Sequence, residues 1–355
     1  YFPVPNDIRN VATRFGPRGL VSKSSFAWTG YLDKMSTYRL KGTMSDFALN
    51  AEGDLPGVSG FSGGIDGDEK GGKFTIVSKN MQLDVPQIMR APLKFEAFDG
   101  EGTWQVTPAS IDVELGKVAF ANADVAGEFA GRYGRFRADG PRAKEEKGPG
   151  TLDIKGKLTR AKAVAIANYL PNAASQTRDY IDWAVRDGEI LSADFSLKGE
   201  IFEFPFHQGK GGHFRIAAKV KDVDYRYVEA WPTAENVNGE IVFENTGFSA
   251  KIDSGRFFNA KIKATTIAID DLAASPGILT IKGAADARGE DMARYLRESP
   301  LANGVGAFTR SVAFEGPGAL QLEMKIPIGG PARIRLIAAR PNRYLVRSSQ
   351  PSVAA

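Results

Sequence analysis

Two histidines, His207 and His213, and no cysteine are all that the chain offers to the commonest catalytic and metal-binding chemistries. A histidine-based triad or a multi-histidine metal site would have to use one of these two residues. His207 follows Phe202, Phe204, Pro205 and Phe206 and precedes the turn-forming run Gln208-Gly209-Lys210-Gly211-Gly212, whereas His213 opens an alternating segment, so they read as a loop histidine and a strand-start histidine. The lack of cysteine removes disulfides, thiolate nucleophiles and cysteine metal sites together. Two glycine-rich pieces, Gly60-Phe61-Ser62-Gly63-Gly64 and Gly209 to Gly212, resemble phosphate loops only superficially. Neither is followed by the Lys-Ser/Thr pair opening a helix that phosphate binding requires, and both read as hairpin turns. Asp66-Gly67-Asp68-Glu69 and Asp222-Val223-Asp224 lack the twelve-residue ligand spacing of a calcium loop and read as solvated turns. The remaining carboxylates fall in turns and on polar strand faces. The sequence therefore reads as a non-enzyme and implies neither metal nor cofactor.

The elements that would position any site are strands. Hydrophobic residues make up 43% and charged residues 25% of the 355 residues, a composition of folded globular chains. The formal charge of +4, from 46 basic against 42 acidic residues, is interleaved along the strands, which excludes a nucleic-acid footprint and leaves a mild attraction to anionic lipid headgroups. No run of 18 apolar residues and no basic-then-apolar leader occurs, so no spanning helix is expected. The abrupt start at Tyr1-Phe2-Pro3 reads as an excised portion of something longer, with any anchor elsewhere.

Short stretches of period-two alternation, punctuated by Gly, Asn and Asp, predict antiparallel β-structure. In Gly212 to Lys221, Phe214, Ile216, Ala218 and Val220 share one face while Arg215, Lys219 and Lys221 share the other. Similar one-sided patterns place Leu152 with Ile154, Ile241 with Phe243, Ala260 with Ile262 and Ala264, Leu279 with Ile281, and Leu320 and Leu322 with Met324 and Ile326. Three segments read as helical: Arg160 to Leu170, about Ser175 to Arg186 with Ser175 as cap and Gly188 as stop, and Asp291 to Arg297. An internal repeat relates Gly148 to Gly156, leading to Asn168-Tyr169-Leu170-Pro171, with Ser275 to Gly283, leading to Arg294-Tyr295-Leu296. The expected organisation is a strand-rich segment over 1–147, a strand plus helical insert over 148–200, and a second strand-rich segment over 201–355. A sheet with one apolar face must cover that face, and so few helices cannot do so. A second sheet in a β-sandwich and an apolar guest in an open trough both satisfy the periodicity. A closed membrane barrel is disfavoured, because Lys219 and Asp253 sit at strand centres on the outward face.

From Tyr169 to Gly255 the chain carries, in order, Tyr169-Leu170-Pro171, Trp183-Ala184, Gly188, Phe195-Ser196-Leu197-Lys198-Gly199, Phe204-Pro205-Phe206, Gly212-His213-Phe214, Val223-Asp224-Tyr225, Trp231-Pro232, Asn238-Gly239, Ile241-Val242-Phe243 and Ser254-Gly255. Their order and spacing resemble the YhdP branch of the AsmA-like proteins. Weaker likenesses extend over about 50–335, including Gly71 to Phe74, Leu83 to Pro86, Ser299-Pro300-Leu301 and Ile326-Pro327-Ile328. The resemblance implies an elongated, twisted, U-shaped antiparallel β-sheet, an open hydrophobic trough with two or three short helices inserted. It implies a protein of the periplasm, anchored in the inner membrane in its full length and meeting inner- and outer-membrane components through parts outside this chain. Its cargo would be phospholipid, with acyl chains against Phe214, Ile216, Ala218, Val220, Ile241, Phe243, Ile262, Leu279, Ile281, Leu320, Leu322 and Met324 and headgroups outside. The alternative function is a cargo-free envelope scaffold with a sandwich core. Tyr169 and Trp183 would brace or gate the trough, and no catalytic residues accompany the family.

Overall fold

A computed structural model of the chain describes residues 13–31, 34–53, 55–145, 148–303, 312–313, 315–327, 333–341 and 347–348. The opening Tyr1-Phe2-Pro3, Ile328 and the expected boundary residues Lys147 and Ala355 lie outside the described residues. Period-two alternation does become antiparallel strand, and the fold is mainly β with few short helices. In order these are β1 (Arg18–Tyr31), β2 (Lys34–Leu49), β3 (Gly57–Asp68), β4 (Gly71–Asp84), β5 (Leu93–Val106), β6 (Ser110–Ala121), β7 (Val125–Phe136) and β8 (Thr151–Lys162). A helical insert follows, ending in α1 (Ser175–Ala184), and then come β9 (Val185–Glu200), β10 (Gly212–Tyr225), β11 (Ala234–Glu244), β12 (Gly247–Phe257), β13 (Ala260–Ile262), β14 (Thr265–Ile269) and β15 (Ile278–Arg288). The last elements are α2 (Gly289–Arg297), β16 (Val312–Ala313), β17 (Pro317–Pro327), β18 (Arg333–Pro341) and β19 (Arg347–Ser348).

The chain divides into two compact units. Unit 1 comprises Tyr1–Ala161, Ala165–Arg178 and Asp194–Arg215; unit 2 comprises Lys162–Val164, Asp179–Ala193 and Ile216–Ala355. In unit 1 each strand from β1 to β8 pairs antiparallel with the next. In unit 2, β11 pairs with β12, β12 with β13 and β14, both of these with β15, and β15 with β17, which pairs with β18.

β-Bulges interrupt both units. Asp46, Asn80, Asp222 and Asn236 take positive φ within or at the start of long strands, a conformation that Asn and Asp tolerate better than other side chains. A bulge leaves a backbone N–H outside the ladder, and here a side chain on the next strand accepts it. The Asp46 N–H donates to Ser62 Oγ at 3.2 Å, that of Ser62 to Ser78 Oγ at 2.9 Å and that of Asp222 to Asn238 Oδ1 at 3.1 Å, each acceptor 16 residues on. Asn238 itself donates from Nδ2 to Ser254 Oγ, again 16 residues on.

Several sequence expectations need correction. Arg160–Lys162 ends β8 and Ala163–Tyr169 is a 3₁₀ segment, so no α-helix spans Arg160 to Leu170. Ala161, Ala163, Ala165 and Ala167 are all buried, so the alanines that suggest a helix are spaced by two instead of lining one α-helical face. The second helix stops at Ala184, and Ser175 adopts helical angles instead of capping. Gly188 lies inside β9, where a β-carbon would sit 2.6 Å from Val223 Cα, so close approach of Val223 explains this glycine. The third helix begins two residues early, at Gly289. Gly60–Gly64 and Asp222–Asp224 lie inside β3 and β10, not in turns, because bulges place turn-like residues in mid-strand. The Gly209 to Gly212 run does form the expected turn into β10.

Both copies of the internal repeat are a strand running into a helical segment, β8 into Ala163–Tyr169 and β15 into α2. Each inserts a tyrosine that is tied to its own unit. The Asn122 Nδ2 donates to Tyr169 Oη at 2.8 Å, and the Tyr295 and Tyr227 hydroxyls share a hydrogen bond of 2.6 Å.

Candidate functional site: an apolar face ruled in rows

On a sheet, residues paired directly across strands point to the same side, so the register decides which apolar residues stand together. In unit 2 the pairing aligns Ile241, Ala250, Ile267, Ile281 and Met324 in one row across β11, β12, β14, β15 and β17. A parallel row holds Phe243, Phe248, Ile269, Leu279 and Ile326, and another holds Gly239, Ile252 and Thr265, whose side chain lies against Gly283, the partner of Leu322. Ile262, Ala285 and Leu320 form a shorter one. None of these residues is charged. Thus most of the lining residues expected from alternation share one face.

The exceptions are informative. Ile216, Ala218 and Val220 lie on β10, the strand beside β11, with Ala218 and Val220 buried. Phe214 belongs to unit 1, where the Phe204 ring meets it edge-on at 5.3 Å and Phe206 in turn meets Phe204 edge-on at 6.0 Å, so its environment is a local aromatic knot. Burial along the rows of unit 2 is uneven. Met324 is 4% exposed, whereas Ile241, Phe243, Leu279, Ile281, Leu320 and Leu322 are half-buried.

Unit 1 carries a face of the same kind, of which alternation reveals only Leu152 and Ile154 on β8. One row runs through Phe26, Leu40, Gly67, Gly72, Trp104, Val113, Tyr133 and Leu152 on β1 to β8. Its neighbour runs through Gly42, Ile65, Phe74, Gly102, Leu115, Gly131 and Ile154. Further along the strands the face packs upon itself, with Met81, Phe95, Phe98 and Val118 buried against Phe61, Ile76, Phe120 and Phe129.

The opposite faces are charged and paired. In unit 1, Glu128 receives Lys117 at 2.5 Å and Lys157 at 3.2 Å, and Asp66 receives Arg39 and Lys41. Hydrogen bonds from Lys117 and then Lys157 hold the Glu128 carboxyl below the usual glutamate range. In unit 2, Lys282 meets its cross-strand partner Glu323 at 3.2 Å and Lys263 meets Asp286 at 2.5 Å. Such exposed pairs contribute little stability individually, but they mark the wet side of the sheet.

Both residues proposed at sequence level as brace or gate are fastened. Tyr169 holds the turn residue Asn122 as above. Trp183 lies under the Arg226 guanidinium, 4.7 Å from ring centre, and its carbonyl accepts from the same guanidinium at 2.9 Å. In unit 2 an aromatic group gathers at α2: Tyr295 packs against Phe257 at 5.2 Å and Trp231 at 5.9 Å. Burial pushes the Tyr295 hydroxyl up to about 12 and that of Tyr227 higher still. His207 is exposed in its turn, and among the described residues no group of three or more His, Asp or Glu is placed to hold a metal. No described helix is long and apolar enough to cross a membrane.

Antiparallel sheets with one uncharged face and one ion-paired face, carrying short helical inserts, define the structural class. A sequence model of the YhdP protein family matches residues 1–336. The chain belongs to the YhdP family, the branch of AsmA-like proteins that its residue pattern resembles. It is 26% identical over 296 residues to the intermembrane phospholipid transporter YhdP of Escherichia coli (strain K12), covering 82% of this chain and 22% of that protein. The chain thus spans less than a quarter of the length of this curated relative. No solved structure matches it.

Proposed function

We propose that this chain is a length of conduit wall in the periplasm, whose apolar rows shield phospholipid acyl chains during transport between inner and outer membrane. The observation that carries the reading is the uncharged row in which Ile241, Ile267 and Ile281 stay half-buried beside the buried Ala250, backed by an ion-paired opposite face. A contiguous apolar surface of this kind calls for an apolar guest. The name of the relative, an intermembrane phospholipid transporter, supplies the guest's class.

Geometry also favours one orientation of the acyl chain. Same-face side chains recur about every 6.8 Å along a strand but about every 4.8 Å across strands. Apolar carbons touch at about 4 Å, so a methylene chain seats between rows more readily than between strands. It therefore lies across the strands, and the furrow continues from one strand to the next. Transfer is passive sliding, with headgroups outside, and no reaction takes place. Tyr169 and Trp183 act as braces, since each is fastened by a hydrogen bond to its own unit. Inner- and outer-membrane components engage parts of the protein outside this chain.

Photo-crosslinking residues placed at Ile281 and Leu322, with Lys282 and Glu323 as opposite-face controls, test the reading together with native mass spectrometry. Lipid adducts confined to the first pair are expected. A chain that retains no lipid after gentle purification, or equal adducts on both faces, would overturn it.

A further inference from the structure

Unit 1 closes one part of its apolar face with its own side chains and leaves another part open. Phe95, Phe98 and Val118 are each 9% exposed or less, so that region is core and has no room for a guest. On β1, by contrast, every residue is exposed, and Phe26 and Trp28 each remain 47% exposed although they lie on the apolar side. Their rings stack at 5.3 Å, and Tyr38, the cross-strand partner of Trp28, approaches Phe26 at 6.5 Å.

The same open part of the face has an unusual floor. A β-carbon at Gly67 or Gly72 would lie 2.5 Å from the Trp104 ring, and one at Gly102 would lie 2.5 Å from the Phe74 ring. Phe74 and Trp104 are 6.3 Å apart with planes only 27° from parallel. None of these three glycines has a positive φ. Glycine in mid-strand is otherwise unfavourable and marks a close approach. Here the approach is double: backbone atoms come within 2.7 Å of such a carbon (Gly71 O at Gly67, Asp66 O at Gly72, Glu114 O at Gly102), and the rings lie down over the same three positions.

We propose that this open aromatic strip, from Phe26 and Trp28 on β1 to Trp104 on β5, is an acyl-chain binding site of unit 1. The inference rests on the conduit reading and narrows it. Flat rings give a guest broad contact without upright branches between which a methyl or a double bond would have to fit. The occupant is a phospholipid acyl chain, argued from the continuity of the strip with the uncharged row and from the absence of charge along it. Trp104 is the floor and Trp28 its most open continuation.

The chain's four tryptophans provide the test, because Trp183 and Trp231 are held in the aromatic clasps described above, outside the strip. Four variants, each keeping one tryptophan and carrying Phe at the other three, are loaded with phosphatidylethanolamine brominated on its acyl chains. Trp28 and Trp104 fluorescence is expected to fall at least twofold, with Trp183 and Trp231 changing by less than a fifth. If a triple replacement fails to fold, the four single Trp→Phe variants read the same quantity: W28F and W104F lose quenchable signal, and W183F and W231F lose unquenchable signal. Native mass spectrometry of the same samples separates the two failures. Lipid retained with Trp28 and Trp104 unquenched overturns the site while the conduit reading stands. No lipid retained overturns the conduit reading itself.

Discussion

Placing an aspartate at Ile281 sets the conduit reading against a sandwich core. Ile281 is half-buried between Ile267 and Met324 in its row, so its environment can be supplied either by protein or by cargo. If cargo lies there, a carboxylate denies contact to about five methylenes, worth up to about 4 kcal/mol at roughly 0.8 kcal/mol each. Because the furrow is open on one side, about half of that, or ~2 kcal/mol, is expected to be lost, which is roughly a 30-fold weaker retention of lipid. The empty protein should lose only about 1 kcal/mol, since the new charge keeps water on its open side. Met324→Asp provides the internal scale: Met324 is 4% exposed, and an unpaired charge there should cost several kcal/mol whatever the cargo. Urea unfolding of lipid-free protein measures stability, and native mass spectrometry against a lipid concentration series measures retention. The reasoning is refuted if Ile281→Asp destabilises the protein as much as Met324→Asp, or if its lipid retention stays within twofold of the parent.

Asn238→Ala should lower stability by about 1–2 kcal/mol in urea unfolding, because it strands the Asp222 N–H and removes the bonds to Asn236 and Ser254. The buried Tyr227, Tyr225 and Tyr295 hydroxyls have raised pKa values, so their neutral forms stabilise the fold fully below the usual tyrosine range and lose that contribution as pH rises through the folded values. Alkaline absorbance titration should therefore show these three of the ten tyrosines, and Tyr180, which burial also raises, ionising late, together with unfolding; ionisation of all ten near pH 10 contradicts the packing. Glu128 is shifted the other way, so its ion pairs contribute above the usual glutamate range and are lost as pH falls below it. Thermal melts from neutral to acid pH should accordingly show a shallower decline in Glu128→Gln than in the parent.

The sequence revealed one unit's face better than the other's for a physical reason. β15 and β17 alternate without interruption, so Leu279 with Ile281 and Leu320 to Ile326 were legible, and the ladder needed only to align them. β4 carries its apolar side on Phe74 and Ile76 but, past the positive-φ Asn80, on Met81 and Leu83. A one-residue shift of this kind erases the period-two signal within a strand. Glycines erase the rest: Gly67, Gly72, Gly102 and Gly131 occupy row positions where alternation would need an apolar residue to be noticed. Trp104 becomes meaningful only once Gly67 and Gly72 are known to lie beneath its ring. The Ala161 to Ala167 run was misread for the opposite reason, because alanine's helix propensity masked a spacing of two.

The side chains that catch bulge N–H groups sit 16 residues after their donors in both units, from Asp46 to Ser62 to Ser78 and from Asp222 to Asn238. Where this bond occurs, a strand with its turn is a module that carries its own coupling to the next. A wall assembled this way has a length set in whole modules of about 4.8 Å, the strand spacing. Under the proposed function, losing or gaining one such module would shorten or extend the wall by that step while leaving the other couplings untouched, so a span would be matched to a gap by counting strands.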